Sequence, residues 1–174
     1  MADTPTTATV DRLSLPKLAL SVRQPWAWAI IQAGKQHENR SWGSWNHHLK
    51  KQRGPVCIHA STGMTRDEYE EAKRFMASRC GVTCPPPHEL VRGGIIGTVE
   101  ITDWVRTSHS PWFIGPGALV LERAAAVEPI PCSGALGFFE WKETGTLSSA
   151  LKWMLPTQAT SCLVEKFEAQ GELL

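Results

Sequence analysis

No run in this chain approaches the roughly 20 apolar residues that cross a bilayer, and Met1 to Asp11 lacks the apolar centre of a signal peptide. The expectation is a cytoplasmic protein without a membrane partner. The five cysteines are odd in number and scattered, as Cys57, Cys80, Cys84, Cys132 and Cys162, so they offer no disulfide framework and read as reduced thiols. Net charge is close to absent. Lys plus Arg is 18 against 17 for Asp plus Glu, leaving +1, which excludes a chain-wide surface for polyanions and confines any nucleic-acid contact to a local patch. Phosphate-loop chemistry is missing too, because Gly115 and Gly117 only flank Pro116 and no Lys-Ser/Thr pair follows. Cys80, Cys84 and His88 stand at spacings of four and four across the stiff VTCPPP stretch, but structural zinc wants four ligands at tighter spacing. Metal and cofactor are therefore both expected to be none. No His or Asn partner for a cysteine nucleophile can be identified by spacing.

Tyrosine occurs once and tryptophan eight times. Trp26, Trp42, Trp45 and Trp112 sit beside loop or turn residues, where flat rings can stack on bases. Charge clusters despite the neutral total. His47, His48, Lys50, Lys51 and Arg53 form a basic run, and Asp67, Glu68, Glu70 and Glu71 an acidic one that reads as a solvated face.

The richest stretch is LSVRQPWAWAIIQAGKQHENRS, residues 20–41. Leu20 to Val22 is a short apolar run. Pro25 suits the first position of a helix, Trp26, Ala27, Ile30 and Ile31 give it an apolar stripe, and Gly34 is a natural stop. A second strand then opens near Lys35, so Arg23, Gln24, Lys35, Glu38 and Arg40 gather at the two ends of one helix. Packing explains the Trp and Ile residues, but not so many hydrogen-bonding side chains beside them. Glu38 and Arg40 share a strand face, and Lys35, just after the turn, can swing into the same cleft. A lysine beside a carboxylate is either an activated base or a plain ion pair. His59 and Ser61 alternate with core-facing Ile58 and Ala60, which turns them outward or into a cleft; a strand histidine can equally be structural.

Residues 1–16 read as a disordered leader, 17–142 as one domain and 143–174 as a helical extension carrying LSSALKWM and CLVEKFEAQ. Strands are expected at 18–22, 36–42, 55–60 and 94–104, at ALVLERAAAV, and at 135–141. A helix over 66–79 is marked by a Thr65/Glu68 capping box and a Met64/Tyr69 staple. The basic segment between the second and third strands is long for a hairpin, which points to a functional loop. Six short strands with two early helices give an α+β fold, a small curled sheet or barrel flanked by helices.

LSVRQPWAWAII, AGKQHENRSW, RGPVCIHAS, GGIIGTVEITD, SPWFIGPGALVL and PCSGALGFFEW run in family order over residues 18–141, and together they resemble the ASCH domain of the PUA-like superfold. The resemblance implies a small PUA-like β-barrel with flanking short helices and a cleft for nucleic acid, mostly RNA. In that picture Arg23, Gln24, Trp26, Lys35, Glu38, Arg40 and Ser41 line the cleft, with Arg53 and His59 at its rim. Trp42 and the basic Lys50 and Lys51 extend the footprint. The partner is then single-stranded RNA or a modified nucleoside. Some ASCH-like proteins resemble amidohydrolases of acylated cytidine that use a Lys, a Thr nucleophile and a distant Glu. Here Lys35 matches the lysine, Glu38 stands at the nucleophile position and Glu100 corresponds to the distant glutamate. Others look like ribonucleases, where a lysine and a carboxylate do acid–base work. Binding is favoured over these hydrolases, and over a protein-interaction adaptor using exposed Trp, because no nucleophile–base pair is evident in the sequence.

Overall fold

The computed structural model describes residues 12–157. They form an α+β domain with three helices on one six-stranded mixed sheet. Strand β1 (Leu18–Val22) leads into α1 (Trp26–Gln32), β2 (His37–Asn39) and α2 (His47–Lys50). Strand β3 (Gly54–Ala60) follows, then α3 (Arg66–Phe75), β4 (Gly94–Val105), β5 (Ala118–Pro131) and β6 (Phe138–Glu140). Sheet order is β2-β5-β4-β3-β1-β6, parallel between β1 and β3 and antiparallel elsewhere. Among the described residues no helix is long and apolar enough to cross a membrane.

Helix α1 begins at Trp26, with Pro25 just before it, and its end is followed by Gly34 at φ +70°. It buries Ala27 and Ile30 against Leu20, Val56, Ile58, Val99, Ile101, Leu119 and Leu121 of the sheet. A Cβ at Gly97 would lie 2.5 Å from both Ile31 Cδ1 and the Ala125 carbonyl, so the close seating of α1 on β4 depends on glycine there. The expected capping box is present. Thr65 Oγ1 accepts from Glu68 N at 3.2 Å, and Glu68 Oε2 accepts from Thr65 N at 2.7 Å. Helix α3 packs Tyr69, Ala72 and Met76 inward and continues through one widened turn over 76–80.

The expected closed barrel is not formed. Strands β2 and β6 are unjoined edges of three residues each. Closure would need β2 to pair with the free side of the β1–β6 end. Ser21 N is already donated to Gly137 O, and Arg40 N, at the end of β2, goes to Gly117 O instead. The sheet curls until side chains bridge the seam, Arg40 reaching the Ser21 carbonyl and Trp42 reaching Phe138.

Residues 12–16 and 143–157, the described parts of the expected leader and helical extension, pack against the domain. Within the expected leader, Leu15 packs under the sheet, Pro16 O accepts from Trp141 Nε1 at 2.7 Å, and Arg12 pairs with Glu143. LSSALKWM forms only a short turn at Lys152–Met154. Ser148 N is donated to Arg92 O, the Arg92 guanidinium is donated to Ser149 O and Thr62 O, and Met154 fills the core under α3. CLVEKFEAQ lies outside the described residues.

Candidate nucleic-acid interface

The site occupies the seam. Arg40, directly after β2, donates from Nη2 to Ser21 O on β1 at 2.7 Å, and Trp42 leans on Phe138 of β6 with ring centroids 6.1 Å apart. Beside these bridges is a cavity of about 330 Å³ lined by Ser21, Arg23, Trp26, Glu38, Arg40 and Ser61. That volume reaches the lower end of ligand pockets, ~300 Å³. A second cavity, about 150 Å³, shares Trp26, Glu38 and Asn39 with it and adds Lys35 and Ile114. A third, about 220 Å³, shares Arg40 and is walled by Trp42, Lys50, Trp104 and Arg106. Shared lining residues place the three side by side along the seam, and together they are called the groove.

Its floor is a charged trio. The turn at Gly34 lets Lys35 N reach Ala29 O at 3.1 Å and aims the side chain inward. Lys35 Nζ donates to Glu38 Oε2 at 2.6 Å and to His37 O at 2.5 Å, while Arg40 Nη2 lies 3.1 Å from Glu38 Oε1. Lys35 is only 3% exposed and Glu38 7%. Burial pushes the Glu38 carboxyl up, but Lys35 and Arg40, one on each oxygen, outweigh it and hold it below its ordinary value. Burial lowers the Lys35 ammonium, and Glu38 only partly offsets this. Burial, with Lys35 nearby, also lowers His37, which favours the neutral ring.

Aromatic surface lies next to this charge. Trp42 and Trp104 stack with centroids 5.4 Å apart and planes 16° from parallel. Arg40 Cζ is 5.6 Å from the Trp42 ring centre and Lys50 Nζ 5.5 Å from that of Trp104, both within cation–π range. Trp26 stands over Lys35 Nζ at 5.9 Å. Four buried side-chain atoms lack a partner among the described residues, and three of them, Arg40 Nε, Ser61 Oγ and Trp104 Nε1, belong to groove-lining residues; the fourth is His37 Nδ1. Such orphans are uncommon in folded proteins and concentrate here.

Several expected residues lie elsewhere. Gln24 is buried and structural, since Oε1 accepts from Trp28 N at 2.9 Å and Nε2 donates to Val91 O at 2.7 Å. Arg53 lines none of these cavities but stands behind the third, where it meets Asp103, the residue before Trp104, at 3.2 Å and the Lys50 carbonyl at 2.7 Å. Glu100 pairs in register with Glu122 and Pro55, is ion-paired to Arg123, and is not brought to the cleft. Ser41 and Lys51 are exposed and line none of these cavities. Trp112 is buried under α3, and Trp45 is 81% exposed. Arg23 lines the groove but is paired with Glu68 at 2.7 Å. His59 is turned into a separate cavity of about 260 Å³, which meets the groove at Ser21, Ser61 and Leu136. Cys84 packs in the α3 core, its thiol raised to about 11 by burial, and no group of three or more His, Cys, Asp or Glu among the described residues is placed to hold a metal ion.

Sequence reasoning passed over Asn39, Trp104 and Arg106; it turned Ser61 outward or into a cleft without naming it a site residue, and Ser61 lines the cavity. Asn39 ties the 106–117 loop to β2, accepting from Ile114 N at 2.8 Å and donating to Trp112 O at 2.9 Å. Trp104 and Arg106 stand two apart at the end of β4, a spacing that puts both on one side of an extended chain. No curated protein matches the chain significantly. The family model of the ASCH domain matches residues 20–126, a span that contains the floor trio and both stacked tryptophans. The chain belongs to the ASCH domain family, which is associated with RNA binding.

Proposed function

We propose that the seam groove binds single-stranded RNA, with bases against Trp26 and the Trp42–Trp104 pair and phosphates at Arg40, Lys50 and Arg106. One observation carries this reading. Five cations (Arg23, Lys35, Arg40, Lys50 and Arg106) and a single carboxylate, Glu38, line these neighbouring cavities; Glu38 is neutralised by Lys35 and Arg40 and Arg23 is paired with Glu68, which leaves Lys50 and Arg106 as the cations without a carboxylate in the lining. A protein of nearly zero net charge thus concentrates positive potential beside flat rings, the combination that single-stranded nucleic acid requires. We read the topology as a PUA-like arrangement with an open seam, and the reduced-thiol composition as that of a cytoplasmic protein.

The test is a titration of a short fluorescent single-stranded RNA at several salt concentrations. Each phosphate contact contributes a slope of roughly 0.7 for single strands, so Lys50→Ala with Arg106→Ala should flatten the plot by about 1.4 in total. Lys51→Ala should leave it unchanged. Salt-independent affinity, or no affinity, refutes the reading. The alternative of a nucleoside or RNA hydrolase rests on Lys35, a buried amine on a small cavity beside a carboxylate. Its Nζ is committed to Glu38 and His37 O, which suits a positioning role better than a general base, and acylated cytidine should pass through unchanged.

A further inference from the structure

The parallel pairing of β1 with β3 sets Ser21 and His59 side by side, 38 residues apart in sequence. Ser21 Oγ lies 3.3 Å from His59 Nδ1, and His59 Nε2 lies 3.2 Å from the Cys132 carbonyl oxygen. A carbonyl can only accept, so Nε2 must carry the proton. In the neutral ring Nδ1 is then bare and can receive the Ser21 hydroxyl proton. Burial, the largest influence on His59, favours that neutral form. The imidazole is also fixed in place. Phe139 packs edge-on at 5.4 Å, and a Cβ at Gly134 would fall 2.3 Å from the ring, so only glycine leaves room for it.

Hydroxyl, base and a third group that orients the base are the parts of an activated serine. We propose that Ser21 and His59 form a nucleophile–base pair that cleaves short-chain carboxylic esters at the junction of two cavities, independently of any RNA the groove holds. Ser21 and Ser61 line both cavities; Ala135 and Leu136 give the His59 side its apolar wall, which suits a short acyl chain, and the wider groove takes the alcohol. Ser21 Oγ attacks the ester carbonyl carbon as its proton passes to His59 Nδ1. Arg40, hydrogen-bonded to the Ser21 carbonyl and lining the same cavity, supplies positive charge to the oxyanion. The C–O bond to the alcohol breaks as His59 returns that proton to the leaving oxygen. Water then attacks the acyl-serine, giving its proton to His59, and Ser21 Oγ leaves and recovers it, releasing the acid.

The experiment treats the full chain with a fluorophosphonate probe, locates the adduct by peptide mass spectrometry, and follows 4-nitrophenyl acetate hydrolysis. A phosphonyl adduct on Ser21 and catalysed release of nitrophenolate are expected. Ser21→Ala should abolish both while melting as a folded protein, and His59→Gln should slow them by roughly a hundredfold or more. If His59→Gln does not fold, the Ser21→Ala comparison decides alone. No adduct on the wild-type protein, or labelling and turnover that survive in Ser21→Ala, overturns the proposal and leaves the pair as a packing contact.

Discussion

Replacing Lys35 with methionine tests the floor of the groove most directly. The change keeps an unbranched side chain one atom shorter but removes its charge and two hydrogen bonds, at 2.6 Å to Glu38 and 2.5 Å to His37 O. An exposed pair lost in this way would cost about 0–1 kcal/mol. Here both side chains are at least nine-tenths buried, and stranding one partner of a buried pair costs about 3–5 kcal/mol. Arg40 still holds the other carboxylate oxygen, so the lower end, about 3 kcal/mol, is expected. At this chain size each kcal/mol moves Tm by about 2–4 °C, so Lys35→Met should melt about 6–12 °C below wild type. Adding Glu38→Leu removes the stranded charge, and the double variant should melt above the single one. RNA affinity is measured on the same samples by fluorescence anisotropy. If Lys35 also positions a phosphate or a base carbonyl, the double variant should still bind about 1–3 kcal/mol more weakly. A Lys35→Met melting point within about 2 °C of wild type would show that the pair behaves as an exposed one and refute the reasoning.

Thr65→Ala removes the α3 cap and should cost about 1 kcal/mol, seen as a Tm drop with unchanged RNA affinity. Glu38 is held below its ordinary value, so its contribution is fully present above the unfolded carboxylate pKa of about 4.3 and is lost as pH falls through the lower folded value; a melting series across that acidic window should show a shallower decline in Glu38→Gln. Gly97→Ala places a methyl group against a backbone carbonyl and Ile31, and should destabilise by about 1–3 kcal/mol in chemical denaturation. A neutral result there would mean that α1 can lift from β4 without penalty.

What could be read in advance was whatever local chemistry decides. The α3 cap, the stop at Gly34 and the face shared by Glu38 and Arg40 depend on residues a few positions apart, and all three are present. Expectations that depended on distant partners fared differently. Gln24 and Glu100 looked available for a ligand, yet Val91 and Arg123 occupy them. LSSALKWM has helical composition, but its hydrogen bonds go to Arg92 and its methionine to the α3 core, so tertiary contacts override propensity. Strand count left a curled sheet or a barrel open and the family resemblance implied the barrel, whereas closure is decided by which edge groups remain free. The proximity of Ser21 to His59 could not be read at all, because only the parallel pairing of two strands creates it.

That open seam also determines how the site can move. Strands joined by a ladder separate only by breaking a row of backbone hydrogen bonds, but here, among the described residues, the polar fastening is a guanidinium–carbonyl contact beside a ring contact. A hydrogen bond from a charged group is worth about 1.5–3 kcal/mol, the same order as a single stacked base. On the proposed reading the groove is a clasp with two catches, which an entering strand opens without unzipping a strand from the sheet. On that reading Arg40 and Trp42, rather than the stiffness of the sheet, set the aperture and with it the thickness of what is gripped.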